Sequence, residues 1–98
     1  MKKVFFSIII PVFNTDKFLK KCIESVIFQD FQDFEILLIN DCSTDKSENI
    51  CQKFQIENPN KIKVLKNKKN LGVGLSQNLG LKFANGRYII FLDSDDYL

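Results

Sequence analysis

Val4-Phe5-Phe6-Ser7-Ile8-Ile9-Ile10-Pro11-Val12 is an almost unbroken apolar run, and that continuity decides the architecture. A strand with one wet face alternates apolar and polar residues. A run apolar at successive positions belongs to a strand covered on both faces, as in a parallel sheet. Pro11 has no backbone donor, so the end of this strand is expected there. Downstream, Leu19, Cys22, Ile23, Val26 and Ile27 fall at helical spacing, with Asn14 or Thr15 as the N-cap. Phe34 to Ile39 is a second buried strand. Asp45 and Glu48 read as a D-x-x-E capping box opening a helix that buries Ile50, Cys51 and Phe54, stopped by Asn58-Pro59-Asn60. Ile62, Val64 and Leu65 give a short third strand.

Leu75, Leu79 and Phe83 then recur every four residues, predicting a third helix that Asn85-Gly86 terminates, and Arg87 to Leu92 is the fourth strand. Strands alternating with helices predict right-handed crossovers and a mainly parallel four-stranded sheet. The fold class is α/β, a Rossmann-like three-layer α/β/α arrangement. Its expected strand order is 3-2-1-4, with the first and fourth strands side by side.

The 98 residues make a single small domain, and 45% apolar content with ten phenylalanines is globular composition. A net charge of +2 gives no argument for nucleic acid. Lys61, Lys63, Lys66, Lys68 and Lys69 gather in one stretch; they read as a solvated strand edge and loop, with attraction to phosphate or an anionic membrane surface as the alternative. Three cysteines without a C-x-x-C pair, and no histidine at all, exclude a zinc site and a Cys–His nucleophile. Cys22 and Cys51 lie on apolar helix faces and are expected buried and unpaired, which suits a reducing cytoplasm. No run approaches a membrane span. Met1-Lys2-Lys3 and the apolar run after it imitate a signal peptide, but Ser7, Pro11 and the missing small-residue cleavage site argue against one.

Chemistry concentrates where the fourth strand ends, at Phe91-Leu92-Asp93-Ser94-Asp95-Asp96-Tyr97-Leu98. Three carboxylates within four positions repel one another and need a counter-charge, for which a hard divalent cation is the usual answer; a solvated acidic turn is the plain alternative. In a parallel sheet, ligands bind beyond the carboxyl ends of the strands. The order 3-2-1-4 brings Pro11-Val12-Phe13-Asn14, Asn40-Asp41-Cys42-Ser43 and Asp93-Ser94-Asp95-Asp96 to one edge. Asn14 and Ser43 could equally be turn and cap formers, whereas the Asp41 carboxylate suits a base imide N–H or ribose hydroxyls. Neither the G-x-G-x-x-G nor the G-x-x-x-x-G-K-[ST] fingerprint is present.

Ser7 to Asn14, Ser25 to Gln29, Asn40 to Asp45, Asn70-Leu71-Gly72, Asn78-Leu79-Gly80 and Gly86 to Asp96 together resemble the successive motifs of family-2 glycosyltransferases with the GT-A fold. The resemblance runs over essentially the whole chain, in order and in spacing. It implies that residues 1–98 are the nucleotide-sugar-binding half of such a domain, from an inverting, metal-dependent enzyme of bacterial polysaccharide synthesis. Pro11 and Phe13 would border the base, Phe13 replacing a commoner tyrosine. Asn14 would belong to the same nucleotide-binding set. Asp41 would bond the base, most often uracil. Asp93-Ser94-Asp95 would be the D-x-D motif, Asp95 for the metal, Mn²⁺ or Mg²⁺, and Asp93 for the metal and sugar or ribose. The donor would be a UDP-sugar and the acceptor a saccharide or lipid-linked hydroxyl, met in the cytoplasm or at the inner membrane surface. The catalytic base would lie beyond Leu98, so residues 1–98 alone would bind donor without transferring sugar, and Ser94 to Leu98 would be mobile.

Three departures stand out. Asn40-Asp41-Cys42-Ser43 occupies the place of the family's Asp-Asp-Gly-Ser, and Gln77 the place of an arginine that contacts the diphosphate. Other readings are a non-catalytic nucleotide- or metal-binding module and a phosphotransfer domain. The latter needs an aspartate at the end of the first strand, where this chain has Pro11-Val12-Phe13-Asn14.

Overall fold

Phe6–Val12 forms β1, the strand on which the rest is assembled, with Asp16–Ile27 (α1), Phe34–Asn40 (β2), Ser47–Glu57 (α2), Ile62–Lys66 (β3), Val73–Phe83 (α3) and Tyr88–Phe91 (β4) following in order. These elements come from a computed structural model that describes residues 4–98; Met1-Lys2-Lys3, the basic start of the signal-peptide comparison, lie outside the described residues. All pairings are parallel and the sheet order is β3-β2-β1-β4, as the alternating pattern predicts. Among the described residues no helix is long and apolar enough to cross a membrane.

β1 and β2 are covered on both faces. On one, Ile8, Ile10 and Val12 join Ile36 and Leu38 against Leu19, Cys22, Ile23 and Val26 of α1 and Cys51 and Phe54 of α2. On the other, Ile9, Leu37 and Ile39 pack with Leu65, Leu79 and Ala84. Burial of these side chains, at about 1.5–3 kcal/mol each, is the main driving force. Cys22, Cys42 and Cys51 are free, and Cys22 and Cys51 are buried as expected.

Two local expectations are corrected. Pro11 does not end β1 but pairs with Ile39 inside it. Val12 accepts from Asp41 N on the β2 side, whereas Ile9 accepts from Leu92 N on the β4 side. Alternation therefore turns the backbone of Pro11 toward the β4 side, where that strand has already ended at Phe91, and no ladder bond is lost. The capping box does not close. Asp45 accepts from Ser47 N at 2.9 Å, but Glu48 turns to Lys66 Nζ at 2.6 Å. The third helix forms as its spacing predicts; of the Leu75–Leu79–Phe83 stripe, Leu79 packs on the sheet while Leu75 and Phe83 are about half exposed, and Ser76 and Gly80 are buried. Gly80 lies so close to β1 that a Cβ there would stand 2.6 Å from Ile9 Cγ2.

The entry into β4 is clamped from beneath. Buried Glu35 of β2 accepts from Ser7 Oγ at 2.5 Å and Asn85 N at 2.6 Å, with Lys63 Nζ at 3.5 Å. Gly86 N donates to Ser7 Oγ at 2.6 Å, and a side chain on Gly86 would collide with the Ser7 backbone. This clamp aligns β4 with β1 and aims the acidic segment after it.

Candidate functional site

The carboxyl ends of β1, β2 and β4 open into one cavity of about 460 Å³, lined by residues of four separate segments. Pro11, Val12, Phe13 and Thr15 come from β1 and its exit, Asp41 from the end of β2, and Asp93, Ser94 and Asp95 from the end of β4. Asn70, Gly72, Val73 and Ser76 close it from the β3–α3 side. The topology thus brings together Pro11, Phe13, Asp41, Asp93 and Asp95 of the sequence-predicted set. Asn14 is not among the lining residues. It stands at φ 51, a left-handed conformation asparagine tolerates, and its Oδ1 accepts from Thr44 N at 2.8 Å.

That bond is one stitch of a seam between the loops after β1 and β2. Asn14 N donates to Ser43 Oγ at 3.1 Å and Thr15 N to Ser47 Oγ at 3.1 Å. Asp16 N donates to Asp45 Oδ2 at 3.1 Å, and Lys46 N returns to Asp16 Oδ2 at 3.3 Å. The sequence pattern reads these residues as caps; the structure uses them to lock two loops at one rim of the cavity. Asn40 ends β2 with Oδ1 accepting from Ser43 N at 3.0 Å, and its buried Nδ2 has no protein partner among the described residues.

Asp41 is buried and its carboxylate is held by the β3–α3 loop. Oδ1 accepts from Asn67 Nδ2 at 2.8 Å and Leu71 N at 2.7 Å, and Oδ2 accepts from Gly72 N at 2.9 Å. Burial works to raise the pKa of this carboxyl, but the hydrogen bonds from Leu71, Asn67 and Gly72 outweigh it and hold the group below its ordinary value. Gly72, at φ 89, gives the loop the turn that points its N–H at Asp41. Asn67 is the residue sequence reasoning missed. One signal could have found it: a carboxylate in a buried strand end needs donors, and Asn67 follows the neighbouring strand directly.

The acidic segment makes contacts with α1 and its N-cap residue. Thr15 Oγ1 donates to Ser94 Oγ at 2.8 Å, Leu98 N donates to Ser25 Oγ at 3.1 Å, and Lys21 Nζ lies 4.0 Å from the Tyr97 ring centroid. Thr15 is therefore at the N-cap position of α1 without a side-chain capping bond, its hydroxyl being spent on Ser94. Asp93, Asp95 and Asp96 are exposed, and one carboxylate oxygen from each lies within 4.8 Å of the others. No ion pair among the described residues neutralises them. An all-oxygen donor set of this charge fits a hard cation such as Mg²⁺ or Mn²⁺. Of the clustered lysines, Lys63 and Lys66 pair with Glu35 and Glu48, and Lys61 lies over the Phe34 ring, so most of the stretch serves the fold.

Comparison with known proteins agrees with this geometry. The family model described as "Glycosyl transferase family 2" matches residues 7–98. The minor teichoic acid biosynthesis protein GgaB of Bacillus subtilis (strain 168) is 47% identical over 93 residues, covering 93% of this chain and 10% of GgaB. A Staphylococcus aureus TarS crystal structure in complex with UDP-GlcNAc superposes with a TM-score of 0.87 at 38% identity, covering 95% of this chain and 27% of that one. The crystal structure of GalNAc-T7 with UDP, GalNAc and Mn²⁺ superposes with a TM-score of 0.80 at 26% identity, covering 94% of this chain and 18% of that one. The chain thus spans well under a third of the length of each protein in this comparison.

Proposed function

Because this chain belongs to glycosyl transferase family 2, we propose that it supplies the donor-binding part of an enzyme moving a sugar from a nucleoside-diphospho-sugar to an acceptor hydroxyl, with inversion. The observation that carries the reading is the single cavity at the strand ends that gathers Pro11, Phe13, Asp41, Asp93 and Asp95. Pro11 and Phe13 border the base, and Asp41 accepts from its imide N–H. A uridine diphospho-sugar is the donor, supported by the TarS and GalNAc-T7 complexes. Asn14 contributes through the loop seam.

Asp93 and Asp95 would hold a divalent ion, Mn²⁺ or Mg²⁺, with Asp96 within reach of the same point. Bound there, such an ion would supply positive charge to a departing nucleoside diphosphate. Thr15 and Ser94 fix the segment that carries these carboxylates. Acceptor activation is assigned to a base outside residues 1–98, as the family resemblance implies, with the lining carboxylates given to donor and ion. The acceptor is a saccharide or lipid-linked hydroxyl, reached in the cytoplasm or at the inner membrane surface of a bacterial polysaccharide-synthesis system.

A thermal-shift panel tests this reading. Uridine diphosphate with Mn²⁺ raises Tm above either component alone, and adenosine and cytidine diphosphates raise it less. An equal response to every diphosphate, or none, would remove the base assignment. Acceptor-dependent turnover by residues 1–98 would instead place the catalytic base within them, with Asp96 the first residue to replace.

A further inference from the structure

Asp41 has almost no acceptor capacity to spare. An ionised carboxylate offers about four lone-pair positions. Three are taken, two on Oδ1 by Asn67 Nδ2 and Leu71 N and one on Oδ2 by Gly72 N. One position on Oδ2 remains for a ligand in the cavity that Asp41 lines. Every protein partner of the carboxylate is an N–H donor, so none can receive a proton from it. The group is confined to the role of acceptor.

Two of those donors are backbone amides, of Leu71 and Gly72. Asn67 is the side chain that makes the arrangement specific. It is 4% exposed, and its backbone N continues the ladder by donating to Asn40 O at 2.9 Å. Its Nδ2 also donates to Ser76 Oγ at 3.0 Å, so one amide group ties the end of β2 to the first turn of α3. Ser76 is itself fully buried and lines the cavity.

We propose that Asn67 is a positioning residue for base recognition, holding Asp41 as a pure acceptor with one free position and thereby selecting bases that present a ring N–H, uracil over cytosine. The inference rests on the reading above that the base meets Asp41. Uracil carries a donor at N3, where cytosine carries an acceptor that would face the carboxylate lone pairs. Discrimination by a buried polar group of this kind is strong because the wrong partner leaves it unpaired.

The test is calorimetric binding of uridine and cytidine diphosphates, with Mn²⁺, to the parent protein, Asn67→Asp, Asn67→Ser and Asp41→Ala. In Asn67→Asp two carboxyls share one buried site and one stays protonated, and the neutral amide that fixes Oδ1 of Asp41 is lost. The expected result is a uridine-over-cytidine preference reduced at least tenfold, with cytidine diphosphate affinity retained. Asn67→Ser introduces no charge and carries the test if Asn67→Asp fails to fold. Its hydroxyl cannot reach both Asp41 and Ser76, and uridine diphosphate affinity drops about fivefold with cytidine diphosphate unchanged. A folded variant that keeps the parent's preference, or loses both nucleotides equally, overturns the proposal and makes Asn67 structural only. If the parent prefers uridine diphosphate but Asp41→Ala does too, the base contact itself is wrong and both readings fall together.

Discussion

Cys42 carries a side chain at φ 62, where the backbone favours glycine, directly after Asp41 at the cavity rim. A non-glycine residue held there costs about 1 kcal/mol, a cost that surrounding contacts must offset. Its thiol gains little in return, lying 4.0 Å from Lys68 O. Cys42→Gly should therefore raise stability in urea unfolding by about 0.5–1 kcal/mol without weakening nucleotide binding. A lower midpoint would mean that the thiol packs more firmly than its distances suggest. The same stretch shows what sequence could and could not reveal about individual residues. Asp41 is legible because a carboxylate at the end of an apolar strand demands a reason. Its partner Asn67 is not, because an asparagine among Lys66, Lys68 and Lys69 looks like any polar loop residue until the loop is folded back over β2.

Strands announce themselves here more clearly than helix faces do. Four apolar runs predict the four strands, their parallel pairing and the order β3-β2-β1-β4, because a strand buried on both faces has no polar positions to confuse the pattern. The α3 face is harder to read for the converse reason: beside Leu79, its contact with the sheet runs through Gly80, a small residue that carries no hydrophobic signal. Closeness as well as apolar area sets that interface. Gly80→Ala should cost about 1–3 kcal/mol in chemical denaturation, since the new methyl meets the β-branched Ile9 in a packed layer. Leu75→Ala, on a half-exposed position of the same helix, should cost less than Gly80→Ala. The reverse ranking would make Leu75 part of the packing face.

Stability of the whole molecule should be bounded on both sides of neutral pH by groups already named. Burial raises Asp41 and Asp45, but hydrogen bonds from Leu71, Asn67 and Gly72, and from Ser47 and Asp16, hold both below the ordinary 3.8. The unfolded chain therefore binds protons first as pH falls through 3.8, and stability is lost below that value. Cys22 and Cys51 move the other way, to about 12 from 9.0, by burial first and then by nearby carboxylates, Asp96 ahead of Asp95 and Asp93 for Cys22 and Glu48 ahead of Asp45 for Cys51. The unfolded thiols ionise first above pH 9, so stability declines as pH rises from there toward 12. Each contributes a slope of about 1.4 kcal/mol per pH unit in that window. Cys51→Ala should flatten the alkaline limb of a Tm-versus-pH curve by roughly half of the thiol contribution and leave the acid limb alone. An unchanged alkaline limb would show that the Cys51 thiol does not titrate differently in the two states.

One cavity serving two ends of one ligand is the central claim, with Asp41 on the base and Asp93–Asp95 on the ion that accompanies the diphosphate. Isothermal titration of uridine diphosphate into the parent, Asp41→Ala and Asp95→Ala, each with and without Mn²⁺, separates those ends directly. The account predicts that Asp41→Ala weakens binding about tenfold or more whether or not Mn²⁺ is present. Asp95→Ala should abolish the Mn²⁺-dependent increment and leave the metal-free affinity near that of the parent. Both variants binding like the parent, with Mn²⁺ and without, would contradict it.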